Sequence, residues 1–319
     1  MRSATVAICT HNRASVLERA VAAALDEAER ADADVLVVDN ASTDGTTTAL
    51  RVLATSRLRV VCEPELGLSA ARNRALAESR GEVVAFLDDD AVPRPGWLGA
   101  LLAPYARDDV SCVGGRARLA FAVPPPAWLT PALHSALGAF DLGDAPRALR
   151  YGRADYPFGC NISFRVAHAR ARGGFSTRVG LRGGAQLQHE ETDLCYRLER
   201  AGGEIRYAPD AVVDHLVLPE KLSPTWLLAR HAQGGRSAAI FILRNRGLLR
   251  ALWRIRWLYG RDLLAPRYAP RDPIDPVRLV RECRRREALG YVAGLVRAVP
   301  SLPALLRDVP IAAPGVPAR

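Results

Sequence analysis

Residues 34–45 read DVLVVDNASTDG, an unbroken apolar run that ends on an acid and enters a turn of small polar residues. Four consecutive apolar positions without alternation suit a strand buried on both faces, as in a parallel sheet. Upstream, residues 4–10 (ATVAICT) form a second such run, and residues 15–25 (SVLERAVAAAL) repeat apolar positions at helical spacing. Downstream, a helix is expected near 47–53 and strands at 58–62 and 83–87, with Ser69 as the cap of a helix over 70–79. Strand and helix in alternation predict an α/β domain with a parallel sheet. No glycine fingerprint of the dinucleotide type follows the first strand, which disfavours a nicotinamide enzyme.

Beyond residue 90 the pattern loosens, and Pro93, Pro95 and the prolines at 124–126 mark loops or bends. Regularity returns with a strand at 161–165, a helix over about 191–201 and a strand at 211–215. From Pro219 onward the sequence reads as helical and arginine-rich, ending in a loose tail that holds Pro303, Pro310, Pro314 and Pro317. Residues 226–243 (WLLARHAQGGRSAAIFIL) are apolar at both ends but interrupted by Gly234, Gly235 and Arg236, too broken to span a bilayer. Residues 253–259 (WRIRWLY) set aromatics beside arginines. Such a segment either packs on the rest of the protein or settles at a lipid interface, where Arg230 and Arg236 could meet a lipid phosphate.

The chain has 319 residues, 49% hydrophobic and 24% charged, enough for one large α/β domain and a smaller appendage. Its net charge of +10 comes almost wholly from arginine, because Lys221 is the single lysine. The arginines are dispersed and form no nucleic-acid motif, so nucleic acid is not an expected partner. Cys9, Cys62, Cys112, Cys160, Cys195 and Cys283 lack metal-binding spacing and read as buried thiols of a reducing compartment. No signal peptide is expected, which gives a cytoplasmic location, with peripheral contact at the inner membrane face through the C-terminal extension as an option.

The strongest chemical signal is Asp88-Asp89-Asp90 after the apolar run 83–87. Three adjacent carboxylates at a strand's C-terminal end repel unless a cation or a hydrogen-bonded polyol lies among them. Ligands of open α/β sheets bind at that edge, and Mg²⁺ or Mn²⁺ held by one or two carboxylates and a diphosphate is a natural neutraliser. A solvated acidic turn is the bland alternative. Asp39, after the second strand, can accept hydrogen bonds from a base or ribose. Residues 67–74 (GLSAARNR) form a glycine turn into a helix start, where backbone N–H groups and arginine suit a phosphate.

Six motifs in order, CTHNR at 9–13, VVDNASTDGT at 37–46, GLSAARNRAL at 67–76, FLDDDAVP at 86–93, FGCNISFR at 158–165 and HEETDLCYRL at 189–198, resemble the family-2 glycosyltransferases. The resemblance covers roughly residues 4–216. It implies the GT-A nucleotide-diphospho-sugar transferase fold, a Rossmann-like mixed sheet flanked by helices, with a mainly helical C-terminal extension. On that basis residues 1–218 form the catalytic domain, with a donor half of about 1–95 and an acceptor half of about 96–218, and residues 219–319 form the extension.

The resemblance further implies that Asp39 contacts the donor's base and that Asp88 contacts the ribose. Thr10, Asn12, Arg13, Arg72, Asn73 and Asp89 would complete the nucleotide-sugar site. Asp90, with Asp88 and His215, would hold Mn²⁺ or Mg²⁺. Glu190 and Glu191 fall where the family has an acidic pair, which makes Glu191 the implied base of an inverting displacement. A nucleotide-sugar donor, with UDP-sugar first, is the implied partner. The acceptor is left open among a polyprenyl-phosphate-linked glycan, a polysaccharide and a small molecule. Two other classes share strand-end acids: a sugar nucleotidyltransferase, whose glycine-rich phosphate loop is missing here, and an inactive nucleotide-sugar-binding protein, which would be expected to have lost an acid.

Overall fold

The computed structural model describes residues 2–53, 55–152, 156–177, 181–182, 185–186 and 189–298, so the proline-rich tail lies outside the described residues. The N-terminal part alternates as β1 (Ala4–Thr10), α1 (Leu17–Ala31), β2 (Asp34–Asp39), α2 (Thr46–Val52), β3 (Leu58–Cys62), α3 (Leu68–Glu78) and β4 (Val83–Asp88). The strands lie in the order β3-β2-β1-β4 and every pairing is parallel. Val35 to Val38 of β2 are fully buried, as expected for a strand covered on both faces. Ser69 does not cap α3: Gly67 is the cap residue and Ser69 is buried inside the first turn. Asn40 sets that helix start instead, accepting from Gly67 N at 2.8 Å and donating to the carbonyls of Glu63 and Glu65.

The stretch after residue 90 is more regular than its prolines suggest. It forms β5 (Ala91–Pro93), α4 (Trp97–Leu102), the long β6 (Val110–Phe121), β7 (Arg147–Leu149), β8 (Asn161–Arg165) and α5 (Val166–Ala171). A short antiparallel strand pair, β9 (Leu181–Arg182) with β10 (Ala185–Gln186), precedes α6 (Glu190–Arg200) and β11 (Glu204–Val217). β8 runs antiparallel between β4 and β6, and β11 lies parallel to β6 and antiparallel to β5 and β7. The sheet is therefore mixed rather than wholly parallel. β11 has a register shift between Ala208 and Val212. There the buried Asn161 donates to the carbonyls of Arg116 and Ala211 and accepts from Trp97 Nε1. Backbone groups freed by the irregularity thus keep partners in the core.

The C-terminal part is helical: α7 (Pro224–Arg254), a π-helical turn at Ile255–Tyr259, α8 (Gly260–Leu263) and α9 (Pro276–Ala298). Ser223 caps α7, accepting from Trp226 N, and Pro224 fits the first helical position. Gly234, Gly235 and Arg236 do not interrupt this helix; its kink falls at Gly247, with φ 79° and ψ 172°. The glycines are where α7 meets α9. A Cβ on Gly235 would lie 1.9 Å from Glu287 O, and one on Gly290 2.0 Å from Ala232 O, so the two backbones touch with no room for a methyl group. No helix among the described residues is long and apolar enough to cross a membrane. Leu133, Leu137 and Val217 share a buried cluster with Leu227, Leu279 and Cys283, which seats the helical pair on the sheet domain. Cys112, Cys160, Cys195 and Cys283 are buried free thiols, but Cys9 is only half-buried and Cys62 is exposed.

Candidate active site

The three adjacent acids follow β4 and turn straight into β5. Pairing of β5 with β11 sets Ala91 opposite His215, and Leu216 N donates to Asp90 O at 2.7 Å. Residues more than a hundred positions apart thus meet because one short strand pairs with a late one. Asp90 Oδ1 lies 3.1 Å from His215 Nε2, and its Oδ2 lies 2.9 Å from Lys221 Nζ. Burial opposes the charge on Asp90, but His215 and Lys221 outweigh it and hold the carboxyl below the usual carboxylate range. Asp89 goes the other way: burial, then the charge of Asp90, push it up to about 7, although Arg13 and the Thr10 hydroxyl oppose the shift. Thr10 Oγ1 donates to Asp89 at 2.8 Å, and Arg13 stands 3.7 Å from both Asp89 and Asp90.

The ligand-capable atoms of Asp88, Asp90 and His215 all lie within 4.8 Å of one another. Two carboxylate oxygens and an imidazole nitrogen form a donor set that fits a divalent cation. His215 Nδ1 is buried and has no hydrogen-bond partner among the described residues.

The second acidic group opens α6, whose first turn holds Glu190, Glu191 and Asp193, where the helix dipole favours negative charge. Glu190 is buried, and its Oε1 is 2.7 Å from Arg72 Nη1. Burial first, and the adjacent Glu191 second, raise the Glu190 carboxyl above its ordinary range against the pull of Arg72. Arg72 also reaches Asp88 Oδ1 at 3.4 Å, with its guanidinium 5.8 Å from the Phe86 ring centre and 5.6 Å from that of Phe175. Burial works against the Arg72 charge, but Glu190, Asp88 and Glu191 hold its pKa above the ordinary value. Gly159 makes space for it: a Cβ there would sit 2.2 Å from Arg72 Nη2. Asp193 is fully buried, paired with Arg197 at 2.9 Å and accepting from Asn245 Nδ2 at 2.8 Å, so it ties α6 to α7 and is not presented to a substrate.

These groups share a cleft of about 1380 Å³. Of the residues expected from sequence, Thr10, Arg13, Arg72, Asp88, Asp89, Asp90, Glu190, Glu191 and His215 line it. Asp39, Asn12 and Asn73 are not in its wall. Asp39 accepts from Ser42 N at 3.1 Å and Thr47 Oγ1 at 2.7 Å, and Asn12 accepts from Thr43 N at 2.7 Å, so both shape the turn at 41–47. Asn73 both donates to and accepts from the Phe175 backbone at 2.8 Å, which fixes the ring that flanks Arg72.

The sequence motifs missed the far wall, which comes from Lys221 in the short turn before α7, from Trp226, Arg230, His231, Phe241 and Arg254 of α7, and from Glu287 of α9. Trp226, Arg230, Gly234 and Ala238 recur every four residues, one face of a helix, yet their mixed chemistry leaves no hydrophobic stripe to find. Lys221 had one signal, its singularity in an otherwise lysine-free chain.

The family described as Glycosyl transferase family 2 matches residues 5–171. A pre-mycofactocin glycosyltransferase of Mycobacterium tuberculosis is 34% identical over 247 residues, covering 76% of this chain, and the chain spans about half, 48%, of that relative's length. The succinoglycan biosynthesis protein ExoM of Rhizobium meliloti is 29% identical over 257 residues, 78% of each chain. Among solved structures, the mannosyltransferase PcManGT from Pyrobaculum calidifontis in complex with GDP-Man and Mn²⁺ aligns with a TM-score of 0.55 at 21% identity, over 95% of this chain and 78% of its own. GalNAc-T7 with UDP, GalNAc and Mn²⁺ aligns with a TM-score of 0.57 at 15% identity, over 94% and 58%. The mixed sheet with flanking helices is therefore the GT-A fold, and the chain belongs to the family 2 glycosyltransferases.

Proposed function

We propose that the protein transfers a sugar from a nucleotide-sugar donor, UDP-sugar first among the candidates, to an acceptor hydroxyl with inversion at the anomeric carbon. The observation that carries this reading is the meeting in one cleft of Asp88, Asp90 and His215 with Glu190 and Glu191, linked by Arg72. Asp88, Asp90 and His215 would hold Mn²⁺ or Mg²⁺, which when bound supplies charge stabilisation to a diphosphate leaving group. Arg13 and Lys221, already beside the acids, are placed to meet the same diphosphate as it gains charge.

Glu191 acts as general base. It takes the acceptor hydroxyl proton while the oxygen attacks the anomeric carbon, and the electron pair of the breaking bond leaves with the nucleoside diphosphate. Arg72 keeps the buried Glu190 beside it in place. Asp39, Asn12 and Asn73 act on the donor through the turn and the ring they hold. The functional division runs near residue 218, with the helical part supplying the acceptor wall, which Trp226 and Phe241 help to line.

Thermal-shift screening of UDP-, GDP- and other nucleotide sugars with Mn²⁺ tests the donor, since a ligand bound only by the native state raises the melting temperature. Metal-dependent release of nucleoside diphosphate, with NMR of the product's anomeric configuration, tests the chemistry. No stabilisation by any nucleotide sugar, or a product of retained configuration, overturns the proposal.

A further inference from the structure

Among the described residues the exposed large apolar side chains outside the cleft are mostly scattered, but Leu248, Leu249, Leu252, Trp253, Trp257 and Leu264 fall within one stretch, residues 248–264. Leu249 is 84% exposed, Trp257 64%, Leu252 51% and Trp253 50%, with Leu248 and Leu264 exposed beside them. The stretch begins where α7 kinks at Gly247, and its exposed residues recur at helical spacing while Ala251 and Tyr259 face the protein interior. Arg254 turns inward, to the cleft and to the rings of Tyr259 and Tyr291. The outer face is thus distinct from the cleft wall built by the same helix.

The charges on that face are of one sign. Arg250, Arg256 and Arg261 are exposed, and the single acid of the stretch, Asp262, is half-buried. Arg256 lies 5.7 Å from the Trp257 ring centre, and the rings of Trp253 and Trp257 stand 6.1 Å apart. Leucine and tryptophan on one helical face, flanked by arginine, match an interface between acyl chains and anionic headgroups. A two-fold contact between copies of this chain centred on the patch would bring like arginines together. A partner of this chemistry is therefore a lipid surface.

We propose that residues 248–264 form an interfacial face that seats the protein on a membrane containing anionic lipid, lying on the surface rather than crossing it. Exposed leucines and tryptophans enter the headgroup boundary, and the arginines meet lipid phosphates. This inference does not depend on the transfer chemistry.

The test is flotation of the full chain with phosphatidylcholine vesicles containing about one-third phosphatidylglycerol. At low salt the protein is expected to rise with these vesicles, and at least about tenfold less with phosphatidylcholine alone or at high salt. The double variant Trp253→Ser, Trp257→Ser is expected to stay at the bottom with melting temperature and donor turnover unchanged. Arg250→Glu with Arg256→Glu serves as a second variant should the first unfold, and is expected to abolish the preference for anionic vesicles. A wild-type protein that stays at the bottom, or tryptophan variants that fold and float equally well, overturns the proposal. So does a concentration-dependent dimer that these substitutions dissociate while the wild type fails to float, because the face then binds a second copy.

Discussion

Arg72 is the side chain through which the two acidic groups of the cleft influence one another, because one guanidinium contacts both Asp88 and Glu190. The paired glutamates make the pH dependence of turnover diagnostic. The ion pair with Arg72 needs Glu190 ionised, and burial with the like charge of Glu191 raises the Glu190 carboxyl above the ordinary value of 4.5, so turnover is expected to fall on acidification well above that pH as this pair is lost. In Glu190→Gln the group that takes up that proton is gone, and this acid limb is expected to disappear. A pH–rate profile with that limb unchanged in the variant would show that Glu190 does not set it. Glu191→Gln is expected to keep nucleotide-sugar affinity, measured by calorimetry, while turnover falls at least about a hundredfold. At the other group, Asp90→Asn keeps the side chain's shape but removes the charge that His215 and Lys221 share. Metal-dependent turnover is expected to drop at least about a hundredfold, with nucleotide-induced stabilisation by Mn²⁺ lost in the same variant.

At the scale of elements, the contact between α7 and α9 combines backbone apposition at Gly235 and Gly290 with buried packing of Phe241, Ile242 and Leu243 against Tyr291 and Leu295. Gly235→Ala places a methyl group where Glu287 O now lies, so the helices must separate. A destabilisation of about 1–3 kcal/mol is expected, seen as a melting temperature lower by several degrees. Gly247→Ala meets no atom within 4 Å, and its effect comes only from the positive φ of the kink. Both variants disturb α7, but Gly235→Ala is expected also to weaken acceptor use, since His231 and Glu287 face the cleft from the two helices. Equal KM for acceptor in the two variants would show that the helix pair does not shape that wall.

For the whole molecule, the sheet domain and the C-terminal helices share buried surface. Val217 and Leu137 on one side meet Leu227, Leu279 and Cys283 on the other. A chain ended after Leu218 leaves that surface open, together with the cleft wall that holds Lys221 and Arg230. Such a truncation is expected to be poorly soluble or to unfold at a clearly lower temperature than the full chain, as checked by calorimetry. A truncated chain with the full melting temperature would mean that the helices are an independent appendage.

The sequence by itself determined the parallel half of the sheet, because β1, β2 and β4 are buried on both faces and read as unbroken apolar runs. The strand-end acids were legible as a local cluster of like charges, and the glutamate pair was legible through the family resemblance. The proline-marked stretch after residue 90 hides β5 and β6, because their strand partners lie far away in the chain and no local period announces them, whereas β8 is legible as the strand at 161–165. Only the tertiary structure decided that His215 and Lys221 converge on Asp90, that Arg72 joins two acidic groups 118 and 16 residues distant, and that Asp39 and Asn73 brace their surroundings. Those outcomes depend on long-range β pairing and on which oxygen a buried donor reaches first. Helical spacing showed that the C-terminal part would be helical, but packing assigned Tyr259 to the core and left Trp253 and Trp257 in solvent, because the turn of the chain after Gly247 sets which face of the helix meets the protein.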